Sequence, residues 1–165
     1  MLLLAVCPYF IDLGGSSIWD ANEAFYVETP REMMERGDYV NPMFNYEPRV
    51  NKPVLSYWIV AGFYHLFGVS VGVQRVAIAL GGMVLIVTAF FLARAAAPAG
   101  REAAAAWWSA LGLAVSPRLL MFARRIFIDI YISMFMALTL LFFALSERYP
   151  TKRRLYLILM YVCVG

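Results

Sequence analysis

Apolar residues gather in long runs separated by short polar breaks, and the lengths of those runs predict the elements. Residues 73–97, 103–123 and 126–145 are each apolar over about the 20 residues that a helix needs to cross ~30 Å of hydrocarbon. They predict three full spans. The terminal runs 1–13 and 155–165 are shorter than a span and predict partial ones, as in a piece of a longer membrane protein. Residues 54–69, VLSYWIVAGFYHLFGV, begin after Pro53 and stop at Gly68. That length suits a helix lying at the interface at least as well as one that crosses.

Polar residues concentrate in 14–53. Asp20 can cap a helix whose third residue is Glu23, and Thr29-Pro30-Arg31-Glu32 reads as a second start with threonine cap, first-turn proline and third-position glutamate. Two short surface helices with a break near Thr29 are predicted, the second ended by Gly37. Beyond it, Pro42, Pro48 and Pro53 predict an extended, turn-rich stretch.

Composition fixes the class. The chain is 62% hydrophobic and 15% charged, against about 25% charged in soluble domains. An all-α integral membrane bundle with short surface-lying helices follows. The net charge of +3 does not point to nucleic acid, because Arg124-Arg125 and Lys152-Arg153-Arg154 flank apolar runs as loop charges do. Counting short loops places Arg94, Arg101, Arg148, Lys152, Arg153 and Arg154 on the cytoplasmic side and loop 14–53 outside. Cys7 and Cys163, each in an apolar run near opposite ends, form neither a metal motif nor a disulfide framework.

Chemistry is sought where a membrane protein carries charge at a cost. Asp129 stands three residues inside an apolar run, where a carboxylate costs roughly 2.5–3.5 kcal/mol at a helix centre. It either pairs with Arg124 or Arg125 one turn back or faces a polar cavity. Lys52 and Arg75 have two readings each, a snorkelling anchor or a phosphate contact. His65 reads as interfacial packing, with no second histidine in the chain to complete a metal site.

Together, NEAFYVETPREMMERGDYVNPMFNYEPRVNKPVLSYW, then LFGVSVGVQRVAIAL and RRIFIDIYISMFMALTLLFFAL, resemble the amino-terminal part of the polyprenyl-phosphate-sugar-dependent glycosyltransferases. These include the protein O-mannosyltransferases and the bacterial aminoarabinose transferases of the GT-C fold. The likeness covers roughly residues 15–148 and keeps the family's motifs in order at Asn22-Glu23, Arg31-Glu32-Met33, Gly37-Asp38, Lys52-Pro53, Arg75 and Asp129.

The resemblance implies a bacterial inner-membrane enzyme that moves a sugar from a polyprenyl-phosphate donor to a hydroxyl of a lipid, glycan or protein acceptor. It implies an interfacial 54–69, Asp129 beside the loop, inversion, a phosphate held by Lys52, Arg75 or a divalent metal, and no nucleotide cofactor. A loop acid is its implied base. Where the family has aspartate this chain has Asn22, and an amide cannot accept a hydroxyl proton, so the role passes to Asp20 or Glu23 or is lost. Two other readings stand beside it: a transporter or channel fragment with Asp129, His65 and Arg75 along a path, and a non-catalytic relative.

Overall fold

The computed structural model describes residues 5–15, 17–18 and 21–165, and is mostly helical. Helices α1 (Ala21–Arg36), α2 (Val54–Phe67), α3 (Val71–Ala96), α4 (Glu102–Ala114), α5 (Pro117–Arg124), α6 (Asp129–Arg148) and α7 (Arg153–Val164) are joined by short connections, with strands β1 (Met43–Phe44) and β2 (Glu47–Pro48) between α1 and α2. The chain divides into two compact units: Tyr9–Leu80 with Met121–Ile128, and Met1–Pro8 with Gly81–Leu120 and Asp129–Gly165.

In the first unit, α1 is a single helix with Pro30 inside it, and not the two short helices expected. Proline has no N–H, so the carbonyl four residues earlier, that of Tyr26, loses its helical partner. Gln74 supplies the missing donor: its Nε2 lies 2.7 Å from the Tyr26 carbonyl, and its Oε1 accepts from the Tyr64 hydroxyl at 3.0 Å. Gln74 is fully buried, so both halves of the amide are satisfied by protein. The helix therefore runs through the proline to Arg36, where Gly37 takes φ +65°.

The expected extended stretch contains a small antiparallel hairpin, with Met43 opposite Pro48 and Phe44 opposite Glu47. Its two-residue turn, Asn45 at φ 51° and Tyr46 at φ 61°, has the positive φ values of a type I′ turn. Buried Glu32 of α1 holds it, accepting from the amides of Asn45 at 2.7 Å and Tyr46 at 3.1 Å. Phe44 meets Phe25 edge to face at 4.5 Å, and the Arg49 guanidinium lies 3.8 Å over the Phe25 ring. The hairpin is thus riveted to α1.

Helix α2 buries Ser56, Tyr57, Val60, Ala61 and Tyr64, one face at i, i+1, i+4, i+5 and i+8. Each large apolar side chain on that face gains about 1.5–3 kcal/mol by burial. The opposite face exposes Leu55, Trp58 and Leu66. Trp58 Nε1 donates to the Tyr39 carbonyl at 2.6 Å, and the Tyr39 hydroxyl bonds His65 Nε2 at 2.8 Å, which makes His65 a docking residue. At 14 residues α2 is ~21 Å long, short of a span.

In the second unit, α3 and α6 approach closely at Gly81, where a Cβ would come within 3.1 Å of the Tyr131 ring. Arg148 closes the other end of α3, donating to the Ala95 carbonyl at 2.9 Å. A 3-10 turn, Pro150–Lys152, returns the chain so that α7 packs along α6.

The expected span 103–123 is broken: α4 ends at Ala114 and α5 starts at Pro117. Proline is accommodated at a first helical turn and disfavours helical backbone in the residue before it, so Ser116 becomes a boundary. Ala106, Ala110 and Ala114 form the buried face of α4. Among the described residues two helices, Val71–Ala96 and Asp129–Arg148, are long and apolar enough to cross a membrane. Three full spans had been expected.

Candidate functional site

The site lies in the first unit, where α1 and α3 both begin. Glu23 in the first turn of α1 was expected to serve as a capping residue. Its carboxylate accepts from the amide of Ile126, 103 positions away, at 3.1 Å. It also stands 3.5 Å from Arg75 near the start of α3, and the two side chains are only 2% and 3% exposed. Arg75 donates further to the carbonyls of Leu13 and Ser17, each at 3.0 Å. One arginine thus ties segment 13–17 to the start of α1. Removing either member of such a pair leaves a buried charge without its partner, at a cost of about 3–5 kcal/mol.

This pair forms one wall of a cavity of about 330 Å³ whose lining also includes Asp12, Leu13, Ser17, Met121, Arg124 and Arg125. Among the described residues, three guanidiniums and two carboxylates share the space. Arginine's planar fork matches the oxygens of phosphate, and the excess of positive charge favours an anion. A second cavity of about 320 Å³ is lined by Leu13, Gly14, Phe63, Phe67, Gly72, Val73 and Val76. It is apolar, and Leu13 belongs to both.

Of the sequence-predicted site residues, the structure brings together Glu23 and Arg75. Lys52 is half-buried at the turn before α2 and is not on the lining of the charged cavity. Asp129 opens α6 in the second unit, half-buried, its carbonyl accepting from the Ser133 hydroxyl at 3.4 Å. Asp20 lies outside the described residues, as does the side chain of Asn22.

Sequence reasoning passed over Asp12 and took Arg124-Arg125 for orienting charges. The signal for Asp12 was available: a carboxylate at the edge of an apolar run, the same signal that singled out Asp129. As for a metal, no cluster of three or more His, Cys, Asp or Glu stands together among the described residues. The two carboxylates of the cavity share it with three guanidiniums. The described donor set does not fit a divalent cation by itself.

Two long apolar helices fit a helical membrane protein, and in the first unit a cavity lined by three arginines adjoins an apolar one. The family model for dolichyl-phosphate-mannose-protein mannosyltransferase matches residues 1–165, and the chain belongs to that family. It is aminoarabinose transferase-like, of the GT-C polyprenyl-phosphate-sugar glycosyltransferases.

An uncharacterized protein of Aquifex aeolicus is 37% identical over 94 residues, covering 57% of this chain and 19% of that protein. The undecaprenyl phosphate-alpha-4-amino-4-deoxy-L-arabinose arabinosyl transferase of Photorhabdus laumondii is 39% identical over 59 residues, covering 36% of this chain and 11% of that protein. The crystal structure of ArnT from Cupriavidus metallidurans bound to undecaprenyl phosphate superposes with a TM-score of 0.88 at 25% identity, covering 98% of this chain and 30% of ArnT. The chain therefore spans less than a third of the solved relative, and its matches cover a fifth or less of these curated ones.

Proposed function

We infer that this chain carries the donor-phosphate end of a membrane glycosyltransferase. The enzyme moves a sugar from a polyprenyl phosphate to a hydroxyl of an acceptor on the extracytoplasmic face. One observation carries the reading: a cavity lined by Arg75, Arg124 and Arg125 adjoins an apolar cavity at Leu13. A polyprenyl phosphate has that polarity, an anionic head on a hydrocarbon chain. The binding of undecaprenyl phosphate by ArnT, which shares this fold, supports the same ligand class.

In this mechanism Arg75 holds segment 13–17 and Glu23 in place, while Arg124 and Arg125 face the donor phosphate. Their charge stabilises the negative charge that grows on the phosphate as its bond to the anomeric carbon breaks. Lys52 adds a further ammonium from the turn before α2. A carboxylate takes the acceptor proton, and a single displacement inverts the anomeric centre. Helix α2, too short to span and apolar on its outer face, lies along the membrane surface.

The transporter reading needs Asp129, His65 and Arg75 along one path. The observed partners of the last two, Tyr39 for His65 and Glu23 with two backbone carbonyls for Arg75, give each a local structural task. The full-length protein in liposomes, supplied with a radiolabelled sugar on undecaprenyl phosphate and an alcohol acceptor, is expected to release undecaprenyl phosphate and form the glycoside. A protein that neither binds nor turns over such donors would sink the reading.

A further inference from the structure

We propose that Asp12 is the carboxylate that takes the proton from the acceptor hydroxyl, an assignment that rests on the glycosyl-transfer reading of the same cavity. Among the described residues, two carboxylates line that cavity. Glu23 has both oxygens engaged, one by the Ile126 amide and the other by Arg75. Protonating it would leave a buried guanidinium short of its counter-charge. Asp12 lines the same space and is exposed, open to a bound hydroxyl.

The backbone is built to hold Asp12 there. Its φ of 53° lies in the left-handed region, which aspartate adopts more readily than most residues but still sparingly. The turn is closed by the Gly15 amide, 3.4 Å from the Asp12 carbonyl. Gly15 is what makes room for the side chain, since a Cβ there would lie 2.1 Å from Asp12 Oδ1. The next residue, Leu13, has its carbonyl pinned by Arg75. A carboxylate carried on a backbone turn held in this way starts close to the space where an acceptor would bind, the condition under which proximity contributes to rate.

The step balances. Asp12 accepts the proton of the acceptor O–H while the acceptor oxygen bonds the anomeric carbon. The bond from that carbon to the phosphate oxygen breaks, its electron pair leaving with polyprenyl phosphate beside Arg124 and Arg125. Asp12 afterwards releases the proton to water.

The test uses the full-length enzyme. Asp12→Asn is expected to lower kcat by about 10²–10⁴-fold without weakening undecaprenyl phosphate binding. Gly15→Ala is expected to lower kcat in the same direction by displacing the carboxylate. Formate added to Asp12→Ala is expected to restore part of the rate, which a merely structural role would not allow. Wild-type-like transfer by Asp12→Asn overturns Asp12 while leaving the functional reading intact, as does an Asp20→Asn variant that alone abolishes transfer. A wild type without donor binding or turnover overturns both.

Discussion

Gln74 donates to the carbonyl of Tyr26 at 2.7 Å, and that carbonyl is the one Pro30 leaves without a helical partner. A side chain of α3 thereby completes the backbone ladder of α1 and holds the proline-containing helix across the first unit. Gln74→Leu is expected to cost about 1–3 kcal/mol, the price of a buried polar group left unsatisfied. Pro30→Ala restores an N–H to Tyr26, so the same change in that background is expected to cost less. Thermal unfolding of the four variants in detergent measures the coupling; additive effects would show that the two residues do not communicate.

The Glu23–Arg75 pair is buried on both sides. Glu23→Gln and Arg75→Met are each expected to destabilise the protein by about 3–5 kcal/mol, and the double variant by less than the sum, because it leaves no lone buried charge. Chemical denaturation of the single and double variants provides the comparison. Equal, independent losses would mean that the pair carries no coupling.

Arg124 and Arg125 line the charged cavity, whereas Lys52 does not. Replacing either arginine by alanine is expected to weaken undecaprenyl phosphate binding roughly 10–100-fold, the value of one charge-assisted hydrogen bond. Lys52→Ala tests whether its ammonium also reaches the phosphate: a weakened affinity is expected, and an unchanged one would leave only an anchoring role.

Two carboxylates, Glu28 within α1 and Asp38 in the turn after it, are expected to titrate low. The Arg31 hydrogen bond, aided by its charge, holds the Glu28 carboxyl below the usual carboxylate range. The Asn41 side chain first, then the Asn41 and Val40 amides, do so for Asp38. A lowered folded value means that each contribution is complete above the unfolded value of about 4. It is lost as pH falls through the folded one. Carboxyl carbon NMR across pH 2–6 should show both shifts, and Arg31→Gln should return Glu28 towards its ordinary range while leaving Asp38 in place.

Much of the fold is written locally. Apolar run lengths placed α3 and α6, Gly37 and Gly68 ended the helices they were expected to end, and the three prolines kept residues 38–53 out of a helix. The motifs in order gave the family, because each motif is a short stretch read without knowledge of its partners. Pro117 shows the limit of hydropathy: 103–123 is apolar throughout, yet a proline and the residue before it divide the run.

What only tertiary structure decided are the partners. Pro30 looked like a helix start because its cost is local; the amide that offsets it comes from 48 positions away. Glu23 reads locally as a capping residue because its own helix offers free amides; the fold adds an amide 103 positions distant and a cation 52 away. Hydrophobicity and turn chemistry act on neighbours and so leave a trace in the sequence. Hydrogen-bond partners of buried polar groups are chosen by packing, and until the chain is folded nothing local records that Asp12, Glu23, Arg75 and the Arg124-Arg125 pair line one cavity.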